Sequence, residues 1–423
     1  MLLYTVSRGD TLQSISTRFD VSVAHIRCNN QLAGDTLATG QVLVIRYGPL
    51  YTVREGDTLF SVATRFQTSI EVLLRLNPQI VSPDVILPGS ELVLYKPTKR
   101  EPLSVNAYGY THVSCGNLSD ALPHLSYFSI FSYDARPDGS LAPIRDQWLI
   151  QTAMLAGVTP RMVVTNIDAV TGNFSSELAS ILLNDRTVQD KLMDNVLHIV
   201  KSRCYAGVDI DFEYVYPRDR QAFNSFLQRM SVLAAKCGFT LSTAVAAKTG
   251  DSDSDILSGG HDYAAHGRYC DQVILMTYEW GYAYGEAQAV APLNKVAEVL
   301  DYATSVIPPK KILMGIPAYG YDWPVPQSSA TPAKAISAMA ARDLAIRKGA
   351  RIQFDRLAQA PFFTYTDDQS APRIVWFEDA ASIQSKLELA RKYKLGGVSY
   401  WALNFAFPEN WAALNSMATV RGC

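Results

Sequence analysis

Net charge is almost absent from this chain: 38 lysines and arginines stand against 40 aspartates and glutamates, a formal balance of −2. The basic field that nucleic acids or anionic membranes require is missing, so the expected substrate is neutral or weakly charged. Cysteine is scarce too. Cys28, Cys115, Cys204, Cys237, Cys270 and Cys423 stand singly, with no CxxC pair and no histidine at ligand spacing. That pattern indicates neither a zinc site nor a dense disulfide framework, and leaves the cysteines as small buried hydrophobes. No apolar run approaches the ~20 residues of a membrane span. The apolar opening of MLLYTVSRGD is shorter than the core of a signal peptide, so no export signal of the usual kind is expected. No cofactor or metal is called for by any motif.

A core is affordable: 48% of residues are apolar and 18% charged, which excludes disorder. At 423 residues the chain suggests two to four domains at roughly 100–200 residues each, a large α/β barrel being the usual exception. Self-similarity divides it. Tyr4-Thr5-Val6, Gly9-Asp10-Thr11-Leu12 and Arg18-Phe19 recur as Tyr51-Thr52-Val53, Gly56-Asp57-Thr58-Leu59 and Arg65-Phe66, and Asn30 matches Asn77 on the same shift. The second copy then gains two residues before its closing strand, which marks a surface loop. Each copy reads as strand, turn, two helices and strand. Thr11 and Thr58 are placed as helix N-caps, and Gly9 and Gly56 give the turn its backbone freedom.

These βααβ units resemble LysM modules, on the pattern YTVxxGDTLxxIAxxF. The resemblance implies binding of glycans that contain N-acetylglucosamine, peptidoglycan or chitin. It places contacts in the Gly9-Asp10-Thr11 and Gly56-Asp57-Thr58 loops and after Asn30 and Asn77-Pro78. The bland alternative, that Gly-Asp-Thr only builds the turn and cap, stays open with about equal weight. Modules at 1–47 and 48–96 and a proline- and charge-rich linker over 96–103 precede a large domain at 97–423.

In that domain apolar runs alternate with helical patterns: 105–110, 127–133, 161–167, 207–212, 240–247, 272–278, 311–319 and 396–403 read as strands. Eight such runs covered on both faces predict an α/β fold, a (β/α)8 barrel. The stretch between the last two is too long for one crossover, so a small α+β insertion is expected at about 321–377, walling one side of the active face.

Barrel enzymes carry reactive groups at the C-terminal ends of strands. The fourth strand ends Asp209-Ile210-Asp211-Phe212-Glu213, and residues two apart point the same way. Three carboxylates are thus expected in the lumen, with Val208, Ile210 and Phe212 toward the helices. Acids crowded in this way force at least one pKa upward, which suits a general acid near neutrality.

The run AGVDIDFE resembles the fourth-strand pattern DGxDxDxE of glycoside hydrolase family 18 at Gly207, Asp209, Asp211 and Glu213. The resemblance implies that Glu213 protonates the glycosidic oxygen and that Asp211 orients the substrate's 2-acetamido group, sharing a proton with Asp209. The acetamido oxygen is then the nucleophile, in one of the exceptions to the two-carboxylate scheme. Met276, Tyr278 and Glu279 resemble the family's M-x-Y-D on strand six, with Tyr278 bonding the acetamido group. Trp401 resembles the tryptophan under the sugar. Tyr110, Phe131, Tyr133, Asn166 and Tyr319 fall at strand ends and are candidates to line the groove. Ala206 stands for the family's first acid and is expected to alter the deep end of the carboxylate relay; Glu279 replaces the usual Asp; the SxGG-type motif of chitinases is missing from VVTNID. Two LysM-like modules joined to such a barrel resemble the cortical-fragment-lytic N-acetylglucosaminidases of endospores. That resemblance implies a hydrolase of cortex peptidoglycan made in the mother cell and laid down in the outer spore layers. A LysM chitinase, a vegetative-wall glucosaminidase and an inactive carbohydrate-binding barrel remain as alternatives.

Overall fold

A computed structural model of the chain describes residues 2–46, 50–66, 68–77, 80, 82, 85–94, 102–251, 255–327 and 331–421. Pro78 and most of the expected linker lie outside these. Eight parallel strands close into a barrel in chain order: Ser104–Tyr110, Tyr127–Asp134, Thr159–Thr165, Gly207–Asp211, Thr240–Ala246, Gln272–Met276, Ile312–Pro317 and Gly397–Trp401. Alternation sorts their side chains as the period of a strand requires. Met162, Val164, Val208, Ile210 and Phe212 join the large core beneath the helices. Tyr108, Phe131, Val163, Ala244, Ile274, Leu313 and Ala402 fill the lumen.

The insertion is a five-stranded antiparallel sheet over residues 319–376 with the helix Ala338–Lys348 on it. Strand seven ends earlier than expected, because Ala318 donates its N–H to the Trp401 carbonyl at 2.7 Å and the chain turns away. Tyr319 therefore belongs to the insertion sheet. The cysteines also depart from expectation. Among the described cysteines only Cys270 is buried, while Cys115 and Cys204 are exposed and Cys28 and Cys237 half-buried; Cys423 lies outside the described residues. Cys204 takes the left-handed C-cap of its helix at φ 64°, a conformation that puts it on the surface.

Each N-terminal repeat is a two-helix unit closed by a two-stranded sheet. The capping expectation is met in full: Thr11 and Thr58 each exchange bonds with a serine three residues on, Ser14 and Ser61. The first repeat is fastened to the catalytic domain. Ile352 N–H donates to Thr39 O at 2.9 Å. Gly40, at φ +87°, lies so near that a Cβ would fall 1.9 Å from the Ile352 carbonyl, so no other residue fits. Ala38 packs with Ala341, Ala345 and Ile352. Buried Arg342 donates to Asn30 O at 2.7 Å and Gln31 O at 3.3 Å while pairing with Glu409.

Removing this guanidinium strands a buried carboxylate, a loss of roughly 3–5 kcal/mol in such sites. Arg342→Ala is expected to lower the melting temperature and to raise hydrogen exchange across residues 30–42, with turnover of soluble fragments retained. Unchanged exchange in that segment would show the docking to be independent of Arg342.

Candidate active site

The fourth strand aims Asp209 and Asp211 into the lumen, and Glu213 follows just past its end. Asp209 is fully buried and accepts from Ser242 Oγ at 2.6 Å and from the Tyr108 hydroxyl. Asp211 is 3% exposed and one of its oxygens has no partner. Desolvation, then the charges of Glu213 and Asp209, push its pKa well above the ordinary carboxylate range. Desolvation and Glu279 raise Glu213 to about 7. Glu213 thus keeps a substantial protonated fraction near neutral pH, the state required of a proton donor.

The main chain of Glu213 is held from both sides. Asn166 accepts from the Glu213 N–H at 2.9 Å and donates to its carbonyl at 2.9 Å. Asn166 is fully buried, so the expectation that it lines the groove is corrected: its amide is spent on positioning. One residue upstream, buried His261 contacts the Phe212 carbonyl at 2.9 Å through Nε2 and accepts from Ala246 N–H through Nδ1. That pairing puts the proton on Nε2, and burial, lowering its pKa to about 4, keeps the ring neutral.

A cleft of about 640 Å³ opens over these groups, lined by Tyr108, Asp211, Glu213, Tyr214, Met276, Tyr278, Glu279, Trp280, Tyr282, Tyr319 and Trp401 among others. Trp401 stands against Tyr108, Tyr110 and Phe131 in edge contacts, with centroids 5.2, 5.7 and 5.0 Å away. Phe131, buried, braces the tryptophan, and so does Tyr110, which is half-buried and feels the charges of Asp211 and Glu213 at the cleft's edge. Glu279, with φ 68°, turns its carboxylate onto the hydroxyls of Tyr319 and Tyr321.

Tyr133 is a correction. It is 2% exposed, sits in the outer core and donates to Asp146. The register with strand three shifts between Ile130 and Tyr133, and that irregularity turns the side chain to the opposite face. Ala206 is another. It lies outside the strand on the side of Val208 and is exposed, so an acid there would not join the lumen stack.

In the repeats, Asn30 and Asn77 are fully buried, each amide bracing its own closing strand, at Val44 and Val93. The expectation of glycan contacts there does not extend to these side chains. Asp10 and Asp57 accept from Tyr4 and Tyr51 and from backbone amides, stapling the turn. The second repeat leaves Phe60, Val85 and Leu87 exposed, at 70%, 61% and 68%.

Sequence reading missed Tyr108, Ser242, Tyr214, Trp280 and Tyr282. Tyr108 was within reach, since it precedes Tyr110 by two on the same strand and shares its direction. Ser242 bonds Asp209 from the neighbouring fifth strand, as its register partner, a pairing that no local pattern encodes.

Among known proteins, a model described as Glycosyl hydrolases family 18 matches residues 167–406, and one described as LysM domain matches 4–46 and 51–94. The Cortical fragment-lytic enzyme of Bacillus subtilis (strain 168) is 39% identical, covering 99% of both chains. That of Bacillus anthracis is 36% identical over 99% of this chain and 98% of its own. The crystal structure of the Bacillus cereus spore cortex-lytic enzyme SleL superposes with a TM-score of 0.84 at 35% identity, covering 100% of this chain and 98% of its own. A chitinase from Chromobacterium violaceum gives 0.69 at 26% identity, covering 74% of this chain and 98% of its own.

Proposed function

The chain is a family 18 glycosyl hydrolase with two LysM domains, and from that membership we propose that it cuts the glycan of spore-cortex peptidoglycan at the bond after N-acetylglucosamine. Full-length likeness to enzymes named for cortex lysis supports the substrate. The observation that carries the chemistry is the cleft in which Asp211, Glu213, Tyr278 and Trp401 meet.

In this reading Glu213 gives its proton to the glycosidic oxygen as the bond from C1 breaks. The acetamido carbonyl oxygen of the same sugar attacks C1, forming a cyclic oxazolinium ion. Asp211, having passed its proton to Asp209, faces the positive charge that develops on the acetamido nitrogen. Tyr278 donates to the acetamido oxygen and Trp401 supplies an apolar floor for the ring. Water then opens the ring at C1, with Glu213 taking back a proton. Two displacements at C1 return the original anomer.

The LysM modules hold the enzyme on its glycan. The loops at Gly9, Asp10 and Thr11 and at Gly56, Asp57 and Thr58 offer backbone edges to the sugars, and the bare apolar residues of the second module add surface. Residence in the spore, in its outer layers, belongs to the same reading.

Mass spectrometry of products from purified cortex fragments tests the substrate. Fragments ending in reducing N-acetylglucosamine are expected, with chitin oligomers cut far more slowly. Preferential cleavage of chitin, or new muramic reducing ends, would overturn the assignment.

A further inference from the structure

Beneath the carboxylates the lumen holds a cation. Arg161, near the start of strand three, is 1% exposed and shares the inward direction of Val163 two residues on. Its strand places it beside Gly207, with Val163 beside Asp209. Gly207 makes the passage: a Cβ there would lie 3.0 Å from the Arg161 Cγ. The guanidinium carbon sits 3.5 Å from the centre of the Tyr127 ring, and Nη2 donates to Gln272 at 2.6 Å. Nε and Nη1 are buried with no partner among the described residues. A charge so placed is costly unless an opposite charge answers it, and the fully buried carboxylate directly above is Asp209.

We infer that Arg161 is a positioning residue for the hydrolytic reaction: its charge holds Asp209 as a carboxylate in the resting enzyme, so that the proton shared by the two aspartates waits on Asp211. This rests on the roles given above to Asp209, Asp211 and Glu213. The other ionisable groups facing the pair among the described residues are Tyr108 and Tyr110 from strand one, Tyr127 from strand two, Glu213 after strand four, Cys270 and Asp271 before strand six, and Tyr278 and Glu279 after it. None of these is a cation. Burial raises the Asp209 pKa; the hydrogen bonds from Ser242 and Tyr108, and after them the attraction of Arg161, oppose that rise. Ala206 leaves this arrangement untouched because it lies outside the lumen.

The aspartate pair titrates as a unit, and the acid limb of kcat/KM reports its first ionisation in the free enzyme. In Arg161→Met that limb is expected to move up by about 1–3 pH units, the usual influence of an adjacent arginine on a carboxylate. Arg161→Lys should restore most of it. In an Asp209→Asn background, Arg161→Met should leave the limb in place. Methionine removes a buried charge without leaving a void, and Arg161→Gln is the second neutral variant should methionine disturb folding. An unmoved acid limb in a folded neutral variant would overturn the inference, as would a lysine variant displaced as far as the methionine one. Failure of the underlying catalytic reading shows separately, as full activity in Glu213→Gln.

Discussion

Glu213→Gln is expected to lower kcat by roughly two to four orders of magnitude, the usual contribution of a positioned proton donor, with KM nearly unchanged. The amide has the shape of the acid but no proton to give, and the Asn166 clamp on the main chain does not depend on the side chain. The alkaline limb of the kcat/KM profile, set by Glu213 near pH 7 in the free wild-type enzyme, should vanish in the variant. Stability should move the other way. Burial raises the Glu213 pKa above its ordinary 4.5, so the folded state holds the proton more tightly than the unfolded chain. Wild-type stability is therefore intact below pH 4.5 and declines as pH rises through about 7. The variant has no carboxylate to ionise there. Its melting temperature relative to wild type should climb across that window and level off above it. Kinetics and thermal melting at pH 4, 6 and 8 check both halves, and a variant as active as wild type would remove Glu213 from the mechanism.

Asp211→Asn is expected to cost roughly two to three orders of magnitude in kcat, the scale of losing one preorganised electrostatic partner of the developing charge. The amide cannot become an anion facing the oxazolinium, and it can turn the acetamido group the wrong way. Because Asp211 and Glu213 act on one event, the double variant should be little worse than the poorer single one. Full multiplication of the two losses would mean that the groups act independently, contrary to a proton-linked pair. Anomeric analysis of the residual product should still show retention.

The barrel, the repeats and the carboxylate triplet were legible in the sequence because each rests on a short period. Runs of apolar residues mark buried parallel strands, and alternation alone put Asp209, Asp211 and Glu213 in one direction. What escaped depends on departures from period or on contacts across the barrel. Tyr133 was a groove candidate because it falls at the end of strand two, and the irregularity after Ile130 turns its side chain to the other face. Ala206 was read as a missing member of the acid stack because the family pattern begins there, although its even position already set it on the other face. Asn166 was seen as a strand-end polar group, yet its function is to grip the backbone of Glu213, 47 residues away. In the repeats, the LysM resemblance pointed to glycan contacts at and after Asn30 and Asn77; each of these side chains instead closes its own fold.

The attachment of the first repeat bears on how the molecule is made. Its partners Arg342 and Ile352 lie more than three hundred residues downstream, Arg342 being 312 positions from Asn30. During synthesis the repeat emerges ahead of these partners, with a core of its own built on Leu12, Ile15, Ile26, Leu43 and Ile45. Its seat on the insertion does not exist until some three hundred further residues have left the ribosome. Closing so long a span costs little extra entropy, about 0.6 kcal/mol per doubling of length, but it delays the contact. A unit that can fold early is thus seated late, and its seating waits on the insertion and the barrel behind it.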